Sequence, residues 1–188
     1  MLLYHTGFSE IRSPDIHFGR ANADFGQGFY LSGDEEFSKR WARERKGKQT
    51  YLNRYELAPE GLKIKLLSKD AEWFDYILGN RSGKKDVFPE YDVIIGPIAN
   101  DTVYDLWGTL TSGFIDSETA LRVLMAGPAY EQVVIKSEKA VSALRFISAE
   151  ALSHETIEEY RNTVKDEEDA FLKEFEKIIE NIPETAEQ

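Results

Sequence analysis

His5 and Tyr30 are the side chains whose type and setting point most directly to chemistry. His5 lies in the apolar run Leu3-Tyr-His-Thr6, and Tyr30 closes the run Asp24-Phe-Gly-Gln-Gly-Phe-Tyr30. Glycine stands where a chain turns sharply or where something approaches its backbone closely. Gly26 and Gly28 therefore predict a tight turn leading straight into a short aromatic strand that contains Phe29 and Tyr30. A flat ring beside an open backbone suits a planar heteroaromatic ligand, and an imidazole on an earlier strand adds a polar contact.

The elements that must position these residues read as a mixture. Leu2–His5 predicts a strand, 7–27 a loop punctuated by Pro14, Gly19 and Gly26, and Phe29–Ser32 a second strand. Asp34 can cap a helix reaching about Arg45, with Phe37 and Trp41 four apart on one face. Thr50–Leu57 and Leu62–Leu66 predict a strand pair joined by Ala58-Pro-Glu-Gly61. Ala71–Leu78 has helical spacing and is expected to stop near Gly79. Tyr91–Ile95 predicts a buried strand stopped by Gly96-Pro97. Ser117–Met125 predicts a helix ended by Gly127-Pro128. Gln132–Lys136 predicts a strand, Lys139–Leu144 a short helix and Arg145–Ser148 one more strand. Strand and helix do not alternate regularly, so the expected class is α+β.

The chain has 188 residues, a size that suits one domain, here 1–148, with an acidic helical extension over 149–188. In that extension Ile157, Tyr160, Val164, Phe171, Phe175, Ile178 and Ile182 form a stripe with a period near seven, interrupted at Glu167 and Glu168. The stripe is expected to pack on its own domain, with a second copy or a small protein partner as the alternative.

Composition narrows the function classes. An apolar fraction of 41% supports a packed core, and no apolar run is long enough to span a bilayer. No membrane partner is expected. The N-terminal residues do not resemble a signal peptide, and the chain holds no cysteine, which fits a cytoplasmic protein and removes thiolate chemistry. His5, His17 and His154 lie at no zinc-ligand spacing, so no metal is expected. Asp92, Asn100, Asp101 and Asp105 read as turn and capping residues. A net charge of −11 argues against nonspecific nucleic-acid binding. A basic cluster (Lys39, Arg40, Arg43, Arg45, Lys46, Lys48) reads as a solvated helix face, or else as a rim that attracts an anionic nucleotide. Gly26-x-Gly28 precedes a strand, so it is not a dinucleotide fingerprint.

Leu3-Tyr-His-Thr6, then Gly26-Gln-Gly-Phe-Tyr-Leu31, then a helix, resembles the His…Tyr signature of the ADP-ribosyltransferase superfamily, in the branch of diphtheria-type toxins and poly(ADP-ribose) polymerases. Residues 1–148 are similar to a bacterial branch of that superfamily. The resemblance implies a split β-sandwich with flanking helices and NAD as the substrate, without a metal. It implies that His5 bonds a ribose hydroxyl and that the Thr6 backbone pairs with the carboxamide. Tyr30 and Trp41 would sandwich the nicotinamide, with Ser38 contacting it and Gly28 and Phe29 lining the cleft. The third motif falls on Glu131-Gln-Val-Val-Ile135, with either Gln132 or Glu131 at the catalytic place. Arg20, by charge and position, is the candidate for the pyrophosphate. The implied activity is transfer of ADP-ribose to a macromolecule, as in a toxin or defence effector. A bound but unreacted NAD or ADP-ribose, in a binding module of the same fold, is the alternative. A protein-interaction role for the acidic tail is a further one.

Overall fold

The computed structural model describes residues 1–99 and 130–180. The predicted helix Ser117–Met125, its Gly127-Pro128 stop, and Asn100, Asp101 and Asp105 lie outside the described residues, as does Ile182.

The described chain is mixed α+β, with two sheets and four helices. In the three-stranded sheet, β3 (Tyr51–Leu57) lies between β1 (Leu2–Gly7) and β7 (Leu144–Ala151), all antiparallel. In the four-stranded sheet the order is β2 (Phe29–Leu31), β6 (Glu131–Ile135), β5 (Val93–Pro97), β4 (Ile64–Leu66). The pairs β2–β6 and β5–β6 are antiparallel, and β4–β5 is parallel.

Period-two alternation builds the core. Leu3, Tyr55, Leu57 and Leu144 of the first sheet meet Phe29, Leu31, Val93, Ile95, Val133 and Ile135 of the second in one buried cluster. The intervening residues Ile94 and Val134 point to the opposite face and are also fully buried. The helix α2 (Ala71–Arg81) supplies Trp73, Phe74, Tyr76 and Ile77 to the interior, and Trp73 Nε1 donates to the Pro97 carbonyl at 2.8 Å. Each such fully buried side chain contributes about 1.5–3 kcal/mol.

Several sequence expectations are corrected. The helix α1 spans only Glu35–Lys39. After it the backbone makes i to i+3 bonds from Arg40, Trp41 and Ala42, and Arg43 Nη1 caps the Arg40 and Ala42 carbonyls. The expected hairpin of residues 50–66 does not form. Both edges of β3 are already taken, by β1 and β7, so β4 crosses to the other sheet and pairs with β5. Gly79 lies inside α2, which ends instead at Ser82 and Gly83, the latter with φ of 71°. Gly96 and Pro97 lie within β5, which starts at Val93.

The helix α3 (Glu138–Ser142) is capped by Ser137. The tail forms one helix, α4 (His154–Glu180). Its first turn is anchored by Ile157, buried with Tyr4, Ala42, Leu52 and Leu152. Of the tail stripe, the side chains of Phe171, Phe175 and Ile178 lie outside what is described.

Candidate functional site

The two sheets meet along β1 and β2 through a single bridge. Tyr4 N–H donates to Ser32 O at 2.8 Å and Ser32 N–H to Tyr4 O at 3.0 Å. One step further the ladder opens. The carbonyl of Tyr30 bonds to His5 Nδ1 at 2.8 Å instead of to the β1 backbone. A carbonyl only accepts, so Nδ1 carries the proton and Nε2 offers a lone pair. Burial pushes the His5 pKa down, against a smaller upward effect of the Tyr30 bond, so the neutral tautomer dominates at neutral pH. Thr6, two residues after Tyr4, turns its N–H and C=O toward the same side as Tyr4. There they have no backbone partner among the described residues. The result is an open stretch of β1 edge beside Tyr30.

Thr6 and Ser38 hold α1 against this edge. Thr6 Oγ1 donates to Ser38 O at 2.6 Å, and the buried Ser38 hydroxyl donates to Tyr4 O at 3.4 Å. Asp34 caps α1 through the Phe37 N–H at 3.1 Å.

Tyr30 is held by the turn that precedes it. Its hydroxyl donates to Gly26 O at 2.7 Å and accepts from Phe25 N–H at 3.0 Å. Burial pushes the phenol pKa well above its usual range. Gly26 adopts φ of 72°, and Gly28 approaches β6 so closely that a Cβ there would sit 2.6 Å from Val134 Cγ1. The same turn is clamped from α2: Arg81 Nε donates to Asp24 Oδ1 at 2.9 Å and Asn80 Nδ2 to Asp24 O at 3.0 Å. The glycines thus serve a turn and a backbone-to-strand contact.

Strand parity sorts the predicted residues into two groups. Tyr30 pairs with Val134, and Gln132 lies two residues further along β6, opposite Gly96. Tyr30, Gln132 and, through the Tyr4–Ser32 bridge, Thr6 therefore share one face, with Ser38 packed beside it. His5 and Phe29 turn to the other face: their rings lie 4.6 Å apart, and Phe29 stacks edge-on against Tyr55 in the core. This corrects the expectation that the His5 and Tyr30 side chains grip one ring together, since the imidazole reaches only the Tyr30 carbonyl. Trp41 is half-exposed and packs edge-on against Phe37 at 6.0 Å, while Tyr30 is engaged at the turn. Arg20 is exposed, though its charge acts on Tyr30. Glu131 lies on the face opposite Gln132 and is exposed.

Gln132 is 8% exposed, and its Nε2 has no hydrogen-bond partner among the described residues. Such an orphaned buried donor costs about 1–3 kcal/mol and calls for an explanation. Arg40 carries two more such atoms. Arg40 Nε and Nη1 are buried without partners among the described residues, while Nη2 pairs with Glu167 Oε1 at 3.0 Å. The Arg40 guanidinium sits 4.5 Å over the Tyr130 ring, which stacks on Phe37 at 4.4 Å. Tyr130 continues the β6 register, its carbonyl accepting from Ile98 N–H at 2.9 Å, so its ring projects on the Gln132 side. Sequence reading missed Arg40, Tyr130 and Glu167 as a group. The only signal was the interruption of the tail stripe at Glu167, which the contact with Arg40 and Tyr130 now accounts for.

Asp92 is structural: it accepts from Lys63 N–H at 2.9 Å and from the Ser137 hydroxyl at 2.7 Å, which lowers its pKa. Glu44, His154 and Glu158 bring ligand atoms within 4.8 Å of one another, but Arg161 pairs with both carboxylates.

No curated protein and no solved structure matches this chain. A family model described as protein of unknown function (DUF3990) matches residues 1–146, which span β1 through the start of β7. The chain belongs to the DUF3990 family.

Proposed function

We propose that this protein binds NAD at the opening between β1 and β2 and transfers its ADP-ribose to a macromolecular acceptor, in the manner of the ADP-ribosyltransferase superfamily and its split β-sandwich. The observation that carries the reading is Gln132. It is the residue expected to hold a ribose hydroxyl, and its buried Nε2 has no partner among the described residues, on the face that also presents Tyr30 and the Thr6 main chain. The Thr6 N–H and C=O, without a backbone partner among the described residues, match the donor–acceptor pair that a carboxamide requires.

In the reaction the bond between ribose C1′ and the pyridinium nitrogen breaks. Its electron pair leaves with nicotinamide and neutralises the ring. The acceptor's nucleophile forms the new bond to C1′ and gives up its proton. The positive charge that develops on the ribose is best stabilised by a carboxylate. Gln132 fixes the hydroxyl by hydrogen bonding but supplies no charge, which costs about 2–4 kcal/mol of transition-state stabilisation.

That same residue favours a second reading, an NAD- or ADP-ribose-binding module with little or no turnover. NAD labelled in the nicotinamide ring separates the two. The transferase releases labelled nicotinamide when a lysate supplies acceptors, and the module binds NAD in calorimetry without release. Gln132→Glu is expected to raise release about a hundredfold or more. Absence of NAD binding by the wild-type chain removes both readings.

A further inference from the structure

We infer that Arg40 is a phosphate-oxyanion subsite on this face and that Glu167 of α4 occupies it in the resting chain, so that the C-terminal helix competes with the ligand. The orphaned atoms are all donors: Nε and Nη1 of Arg40 and Nε2 of Gln132. The two buried Arg40 nitrogens, without acceptors among the described residues, match a group made only of acceptors. Stacking on Tyr130 fixes the guanidinium plane, and the planar fork suits two oxygens of one phosphate. Glu167 already shows the chemistry, because one carboxylate oxygen takes both Arg40 Nη2 and the Tyr130 hydroxyl, each at 3.0 Å. It leaves the other two guanidinium donors unmet, so a multidentate oxyanion satisfies the group more fully than the resident carboxylate does. Arg40, and not the exposed Arg20, is then the residue for the diphosphate of a dinucleotide. Only this last identification of the ligand rests on the NAD reading.

The test uses the full chain and inorganic pyrophosphate as probe, followed by calorimetry at low ionic strength. Glu167→Gln removes the competitor and is expected to tighten pyrophosphate binding about fivefold, the upper worth of a partly exposed ion pair. Arg40→Met keeps the stem but removes the fork and is expected to weaken binding tenfold or more. Arg40→Lys, which keeps the charge, is expected to recover only part of it. Unchanged or weaker binding in Glu167→Gln overturns the competition, and that variant alters only a partly exposed side chain. Full binding by Arg40→Met overturns the subsite. The NAD arm is separate. Pyrophosphate binding that follows both residues, with no NAD binding, leaves the subsite standing and removes the NAD reading. NAD binding that ignores both residues removes the subsite and leaves the NAD reading.

Discussion

Burying the Gln132 amide with Nε2 unbonded costs about 1–3 kcal/mol, and no bond among the described residues offsets it. Gln132→Leu should therefore raise stability by about 1 kcal/mol in urea denaturation while abolishing any NAD-dependent rise in melting temperature. A loss of stability would mean that the amide is satisfied in solution. His5 provides a second test, through pH. Burial holds its folded pKa below the ordinary 6.5, so the unfolded chain takes up a proton that the folded chain refuses. The stability due to neutral His5 is complete above about pH 6.5 and is lost as pH falls toward the depressed folded value. His154 has the opposite sign, because Glu44 raises its pKa. Urea midpoints measured from about pH 7.5 to 5.5 should fall less for His5→Gln than for the wild type, and equal slopes would contradict the assignment. At this scale the sequence revealed that His5 and Tyr30 meet. It did not reveal that they meet through a carbonyl, because the face taken by a strand residue depends on where the strand begins after Gly28. Arg40 was legible only as one charge in a basic cluster. The residues that define it, Tyr130 and Glu167, are remote in sequence.

The element that fixes the candidate site is β2, three residues long and seated directly on β6. Its placement depends on Gly28: a Cβ would lie 2.6 Å from Val134 Cγ1 and 2.7 Å from the Ile135 carbonyl. Gly28→Ala is expected to cost about 1–3 kcal/mol by overpacking, read as a lowered urea midpoint. Gly33→Ala, where a Cβ meets nothing within 4 Å, is the control expected to stay near wild type. Periodicity made most elements legible: β1, β2, β6, α2, α3 and α4 stand close to where the apolar pattern placed them. The failures share one cause. The end of α1 and the partner of β4 are set by tertiary contacts, namely the carbonyl caps from Arg43 and the occupied edges of β3, and no local pattern encodes either.

For the whole molecule, the class α+β followed from the irregular mixture of strand and helix patterns, but the division of the strands between two sheets did not. Apolar alternation reports which face of a strand is buried and is silent about which sheet buries it. The described chain passes from one sheet to the other at β1 to β2, β2 to β3, β3 to β4 and β6 to β7. Neither sheet is therefore built from one contiguous stretch of sequence. The molecule is laced together like a shoe, each sheet waiting on strands delivered from distant parts of the chain. Among the described strands no cut placed after β2 and before β6 yields a fragment that carries a whole sheet, so the chain resists division there into separately folding pieces, and its assembly is governed by long-range closure of the chain.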